Sequence, residues 1–167
     1  MAKTKYFVFL LLALIACENQ SASEKKANAD IEKLNKTWVV NSLSYDAGIP
    51  DSVRLEDTAL ELYFGTCNYM DDAPSLLCAG SYTYDGIASE LNYQYLFDLS
   101  QYKLAFRQED VPGAPALTEA QKVKLQKVVN LMSGNWKLVA DGEMLSGEMK
   151  SSVMDHGGLV KFTAKRK

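Results

Sequence analysis

Few side chains in this sequence have the types and spacing that chemistry needs. A hydrolase requires a nucleophile paired with a base, yet His156 is the only histidine; it stands in the turn Asp155-His156-Gly157-Gly158, and Gly-x-Ser-x-Gly does not occur. Asp71 and Asp72 are adjacent carboxylates, but neighbouring strand residues point to opposite faces, and beside Pro74 they read as solvated loop residues. They also lack the alternating Asp-x-Asp ligands of a calcium loop, and no phosphate loop or Gly-x-Gly-x-x-Gly is present. The sequence therefore offers no catalytic residues, no metal set and no cofactor motif, and it predicts a non-enzyme. What remains is aromatic: 9 Tyr, 6 Phe and 2 Trp. Trp38, Leu60, Leu62, Tyr82, Tyr84, Tyr93, Tyr95, Phe97 and Trp136 form the candidate ligand pocket, with tyrosines as polar handles on an apolar wall. The same side chains could equally fill a core.

The elements that would position these residues are strands. From Thr37 onward the apolar residues recur every second position, in short runs rich in aromatic and β-branched types. Trp38 to Tyr45 ends at Asp46-Ala47-Gly48; Thr58 to Phe64 sets Leu60, Leu62 and Phe64 on one face. Gly80 to Asp85, Leu91 to Leu99 and Tyr102 to Arg107 follow, and Asn135 to Ala140, Glu143 to Lys150 and Leu159 to Lys165 close the chain. Between them Val111 to Ala116 reads as a loop, and Thr118-Glu119-Ala120-Gln121 as a capping box opening one helix that ends between Leu131 and Gly134. About eight short antiparallel strands joined by tight turns predict a mainly β fold, an up-and-down barrel that leaves no exposed edge, with a two-sheet sandwich as the competing architecture.

The first residues carry an address. Lys3 and Lys5 precede an apolar run from Tyr6 to Ala16, the layout of a secretory signal, and at about 16 Å of helix the run is too short to span a hydrocarbon core of about 30 Å. Leu14-Ile15-Ala16-Cys17 resembles the lipobox of bacterial lipoproteins, which implies lipid on the Cys17 thiol and removal of residues 1–16. That removal takes away two lysines and no acid, leaving 151 residues and moving the net charge from −3 to −5. Glu18 follows the cysteine, and by resemblance to enterobacterial sorting this implies the outer membrane, with the periplasmic or external face left open. Residues 18–30 hold no large apolar side chain, so residues 17–35 read as lipidated cysteine plus flexible tether, although Asp30 could cap a turn bearing Ile31 and Leu34. On such a tether an acidic body is expected to stand off an anionic leaflet. With Cys17 acylated in an oxidising compartment, Cys67 and Cys78 are the remaining pair and are expected to form a disulfide worth roughly 3 kcal/mol.

Lipobox, short tether, the Trp-bearing strand Leu34-Asn35-Lys36-Thr37-Trp38-Val39-Val40, a meander of strands and a terminal strand with Phe162 and basic residues together resemble the lipocalin-like lipoproteins of Bacteroidota. The lipocalin signature Gly-x-Trp is Lys36-Thr37-Trp38 here, while Gly134-Asn135-Trp136 matches it. The resemblance implies a barrel over residues 36–165 that binds a small hydrophobic or amphipathic ligand without bond making; the alternative is a filled barrel that contacts another envelope protein. A pI of about 5.2 gives no electrostatic ground for a nucleic-acid partner.

Overall fold

The computed structural model describes residues 22–55, 60–69, 75–111, 113, 115–150 and 158–167. Cys17, the Asp71-Asp72 pair and His156 lie outside these residues. Two-residue alternation builds the body: β1 (Thr37–Tyr45), β2 (Leu60–Tyr69), β3 (Ser75–Tyr84), β4 (Ile87–Leu96), β5 (Gln101–Phe106), β6 (Gly134–Asp141), β7 (Met144–Lys150) and β8 (Leu159–Arg166). Each strand pairs antiparallel with the next, and β8 returns to β1, so the sheet closes in sequence order as an eight-stranded up-and-down barrel. The sandwich alternative falls away with that closure.

Register follows the apolar phase. Trp38 lies opposite Leu62, Leu62 opposite Tyr82, and Tyr82 opposite Ser89, so one inward row crosses four strands. A second runs Tyr95, Tyr102, Trp136, Met149 and Val160. Two irregularities adjust the phase, one between Val40 and Ser42 and one between Phe64 and Cys67. At the second, Gly65 passes so close to β3 that a β-carbon would stand 2.6 Å from the Ala79 carbonyl oxygen. β2 continues beyond the limit the alternation suggested because the extra residue at this bulge brings Cys67 opposite Cys78, and β3 continues because its inward phase runs unbroken from Tyr84 and Tyr82 to Cys78 and Leu76.

Among the described residues two α-helices accompany the barrel. The one expected from the capping box is α2 (Glu119–Met132): Thr118 Oγ1 accepts from the Gln121 amide and the Gln121 side chain accepts from the Thr118 amide. The other lies where the sequence suggests a flexible tether. Residues Ala22–Leu34 form a helix, α1, with Ala27, Ile31 and Leu34 buried. The residues 17–35 are thus not flexible throughout; spacings of four and three put three apolar side chains on one stripe, and the barrel supplies the surface that buries it.

In an up-and-down barrel, the start of β1, the turns β2–β3, β4–β5 and β6–β7, and the end of β8 share one end. α1 enters there and runs against Tyr102 and Leu138 to Ala140; α2 connects β5 to β6 at the other end, beside Phe106 and the β3–β4 turn. Leu125, Val128, Leu131 and Met132 join the barrel core from that side.

Candidate functional site

Eight of the nine candidate pocket residues face the barrel axis and come together. Trp38, Leu60, Leu62, Tyr82, Tyr84, Tyr93, Tyr95 and Trp136 are between 0% and 5% exposed, whereas Phe97, just beyond β4, is only partly buried at the barrel rim. The rings meet edge to face: Phe64 on Tyr93 at 5.1 Å, Tyr82 on Phe106 at 5.0 Å, Tyr95 on Tyr102 at 4.9 Å and Tyr95 on Phe97 at 5.4 Å. Trp136 lies 5.2 Å from Phe162. A side chain lining a ligand-sized void keeps surface that a water molecule can touch, and these keep almost none.

Two of the tyrosine hydroxyls are committed to the backbone. The Tyr82 hydroxyl donates to the Arg107 carbonyl at 2.6 Å and the Tyr93 hydroxyl to the Gly65 carbonyl at 2.8 Å. Burial pushes the Tyr82 phenol up to about 12, against a smaller opposing effect of its hydrogen bond with Ser89. Burial also raises Tyr93 and, more strongly, Tyr102. Such phenols stay neutral and donate; they are not nucleophiles or bases at ordinary pH. Ser89, fully buried, accepts from the Glu109 amide at 3.0 Å and lies 2.8 Å from the carbonyls of Arg107 and Glu109, fastening the chain that leaves β5.

The two tryptophans share a role that sequence reasoning missed. Trp38 Nε1 donates to the Leu34 carbonyl at 2.9 Å, and Trp136 Nε1 donates to the Met132 carbonyl at 2.7 Å. Leu34 and Met132 are the last residues of α1 and α2, so each indole satisfies a carbonyl that a helix end leaves open. The available signal was the interval of four from a terminal apolar residue to Trp in both segments.

Cys67 and Cys78 form a disulfide between directly paired residues of β2 and β3. The bridge lies inside the ladder, with the Tyr93 hydroxyl 3.5 Å from the Cys67 sulfur.

Outside the barrel, a groove of about 340 Å³ runs over β6, β7, β8 and β1, floored by Ser42, Ser44 and Ser146 and flanked by the Lys161–Glu148 ion pair at 2.9 Å. Lys161 holds the Glu148 carboxyl below its ordinary value. A groove of about 260 Å³ lies between α1 and β6, floored by Leu34, Tyr102, Leu138 and Ala140 and rimmed by Lys26, Lys33 and Lys137. Among the described residues no three His, Cys, Asp or Glu side chains gather as metal ligands, and no helix is long and apolar enough to cross a membrane. No family model, curated protein or solved structure matches the chain.

Proposed function

We propose that the chain is a non-catalytic lipoprotein of the bacterial cell envelope, held at the outer membrane by lipid on Cys17, whose barrel acts as a rigid interaction body. Of the two binding readings, geometry favours contact with an envelope partner through the outer surface over a small molecule held inside. The observation that carries this preference is the closure of the aromatic interior: Trp38, Leu62 and Trp136 are 0% exposed, so no empty volume adjoins them. A ligand there would have to displace rings that pack edge to face and hydroxyls already bonded to carbonyls, losing about 1 kcal/mol or more for each hydrogen bond broken.

The test titrates the full acylated chain in detergent with cis-parinaric acid and follows quenching of the two tryptophans. No saturable quenching supports the filled barrel; stoichiometric quenching overturns it in favour of a small-ligand carrier. In the same cells, labelled palmitate should enter the wild-type chain and not Cys17→Ala. Label in neither would sink the anchoring.

A further inference from the structure

The few residues of sequence between Cys17 and α1, together with the lysine-rimmed groove beside that helix, assign an orientation. We infer that the barrel sits end-on to the bilayer, with the α1 end inward, and that the groove between α1 and β6 receives the phosphate of an anionic lipid headgroup. The inference rests on acylation of Cys17.

The covalent argument comes first. Ala22 begins α1, so Cys17 and the helix are five residue steps apart and cannot separate by more than about 18 Å. The helix is not free to swing, because Ala27, Ile31 and Leu34 are buried and the Leu34 carbonyl is held by the Trp38 indole. β-strands of up to 10 residues, tilted in a barrel, give a body about 25 Å deep. An anchor of that reach at one end keeps that end near the lipid and the α2 end far from it. The stand-off expected of an acidic body on a flexible tether gives way to a link of only five residue steps before a docked helix.

Charge makes the contact specific. At the groove, Lys26, Lys33 and Lys137 stand around Asp30, which lies 3.5 Å from Lys33 Nζ, while Lys137 also lies opposite Glu148, itself paired with Lys161. The site therefore carries a surplus of positive charge over an apolar floor, the complement of a phosphate above the start of an acyl chain. On the same end, Leu99 in the β4–β5 turn is 58% exposed. The far end carries Asp46, Asp51, Asp85, Glu109, Asp110 and Glu119, and the α1 end carries Glu32, Asp98, Asp141 and Glu143, so the favourable charge is confined to the groove itself.

The full acylated chain is reconstituted in phosphatidylcholine vesicles, alone or with phosphatidylglycerol, that also carry a nitroxide on a fraction of headgroups. A bimane is placed at Leu99→Cys or Val123→Cys; the acylated Cys17 and the disulfide leave only the new thiol to react. Expected is loss of most of the fluorescence at Leu99 and little change at Val123, with a larger loss at Leu99 when phosphatidylglycerol is present. Combining Lys26→Glu, Lys33→Glu and Lys137→Glu should remove that phosphatidylglycerol-dependent part while the thermal melt is unchanged. Equal quenching at both positions, or stronger quenching at Val123, overturns the orientation. Quenching at Leu99 that ignores both phosphatidylglycerol and the three substitutions overturns the headgroup site. A mass lacking the acyl increments overturns the anchoring itself, an outcome distinct from the other two.

Discussion

Gly147 faces the barrel interior where the ring of Phe162 already lies, and a β-carbon there would stand 2.2 Å from Cε1 and 2.7 Å from Cζ. The ring cannot retreat freely, because Trp136 is 5.2 Å away and its indole is tied to the end of α2. Gly147→Ala should therefore destabilise the protein by about 1–3 kcal/mol, the usual cost of overpacking, seen as a lower urea midpoint with an unchanged slope. Tyr93 poses the opposite problem. Tyr93→Phe keeps the ring on Phe64 but strips the Gly65 carbonyl of its donor, and a loss of about 1–2 kcal/mol is expected in the same measurement. The buried phenols also set an alkaline limit. Tyr82 ionises at about 12 in the folded chain and near 10 when unfolded, so its contribution is complete below pH 10 and is lost as pH rises toward 12. Tyrosinate absorbance and loss of near-ultraviolet circular dichroism should appear together across that window.

The strands were legible because period two survives in nearly every run. Leu60-Glu61-Leu62-Tyr63-Phe64 and Leu91 to Tyr95 announce which residues face in, and the observed burial has that phase. The extension of β2 was not legible, since the bulge at Gly65 and Thr66 breaks its alternation, whereas β3 keeps its phase through Cys78 and Leu76 but has only the small Ala79 and Gly80 where a strand signal was sought. α1 was missed for a related reason. Its stripe consists of Ala27, Ile31 and Leu34 in a sequence otherwise polar, and only the barrel end makes burying so small a stripe worthwhile. The pocket residues were legible as inward-facing, but phase does not report whether the space between rings is empty or filled. The helix gives a direct prediction. Leu34→Ala should cost about 2–5 kcal/mol, because it removes a buried side chain from the residue whose carbonyl the Trp38 indole holds. Hydrogen exchange should then quicken across residues 22–34 before the strands respond.

Closure joins the two chain ends into one cooperative body. β8 pairs with β7 along its length and with β1 from Trp38 to Tyr45, so the last eight residues of the sheet complete a ladder begun by the first strand. Val160, Phe162 and Ala164 are inward on β8, and Phe162 is the ring that meets Trp136. Without β8, two strands would present unpaired edges while the barrel lost three core side chains, and neither loss can be met by local rearrangement. The closing contacts are also among the most distant in sequence, reaching from Trp38–Arg166 to the Lys167 amide on the Thr37 carbonyl, so they form against a large loop-closure entropy and should lock late in folding. A chain ending at Gly158 should accordingly lack a cooperative thermal transition and sediment as aggregate, although it retains seven strands' worth of alternating sequence. The full chain should unfold in one step, with tryptophan fluorescence and far-ultraviolet circular dichroism giving the same denaturant midpoint. A soluble, cooperatively melting chain without β8 would mean that the seven remaining strands can reseal, and that closure by β8 is not what unites the body.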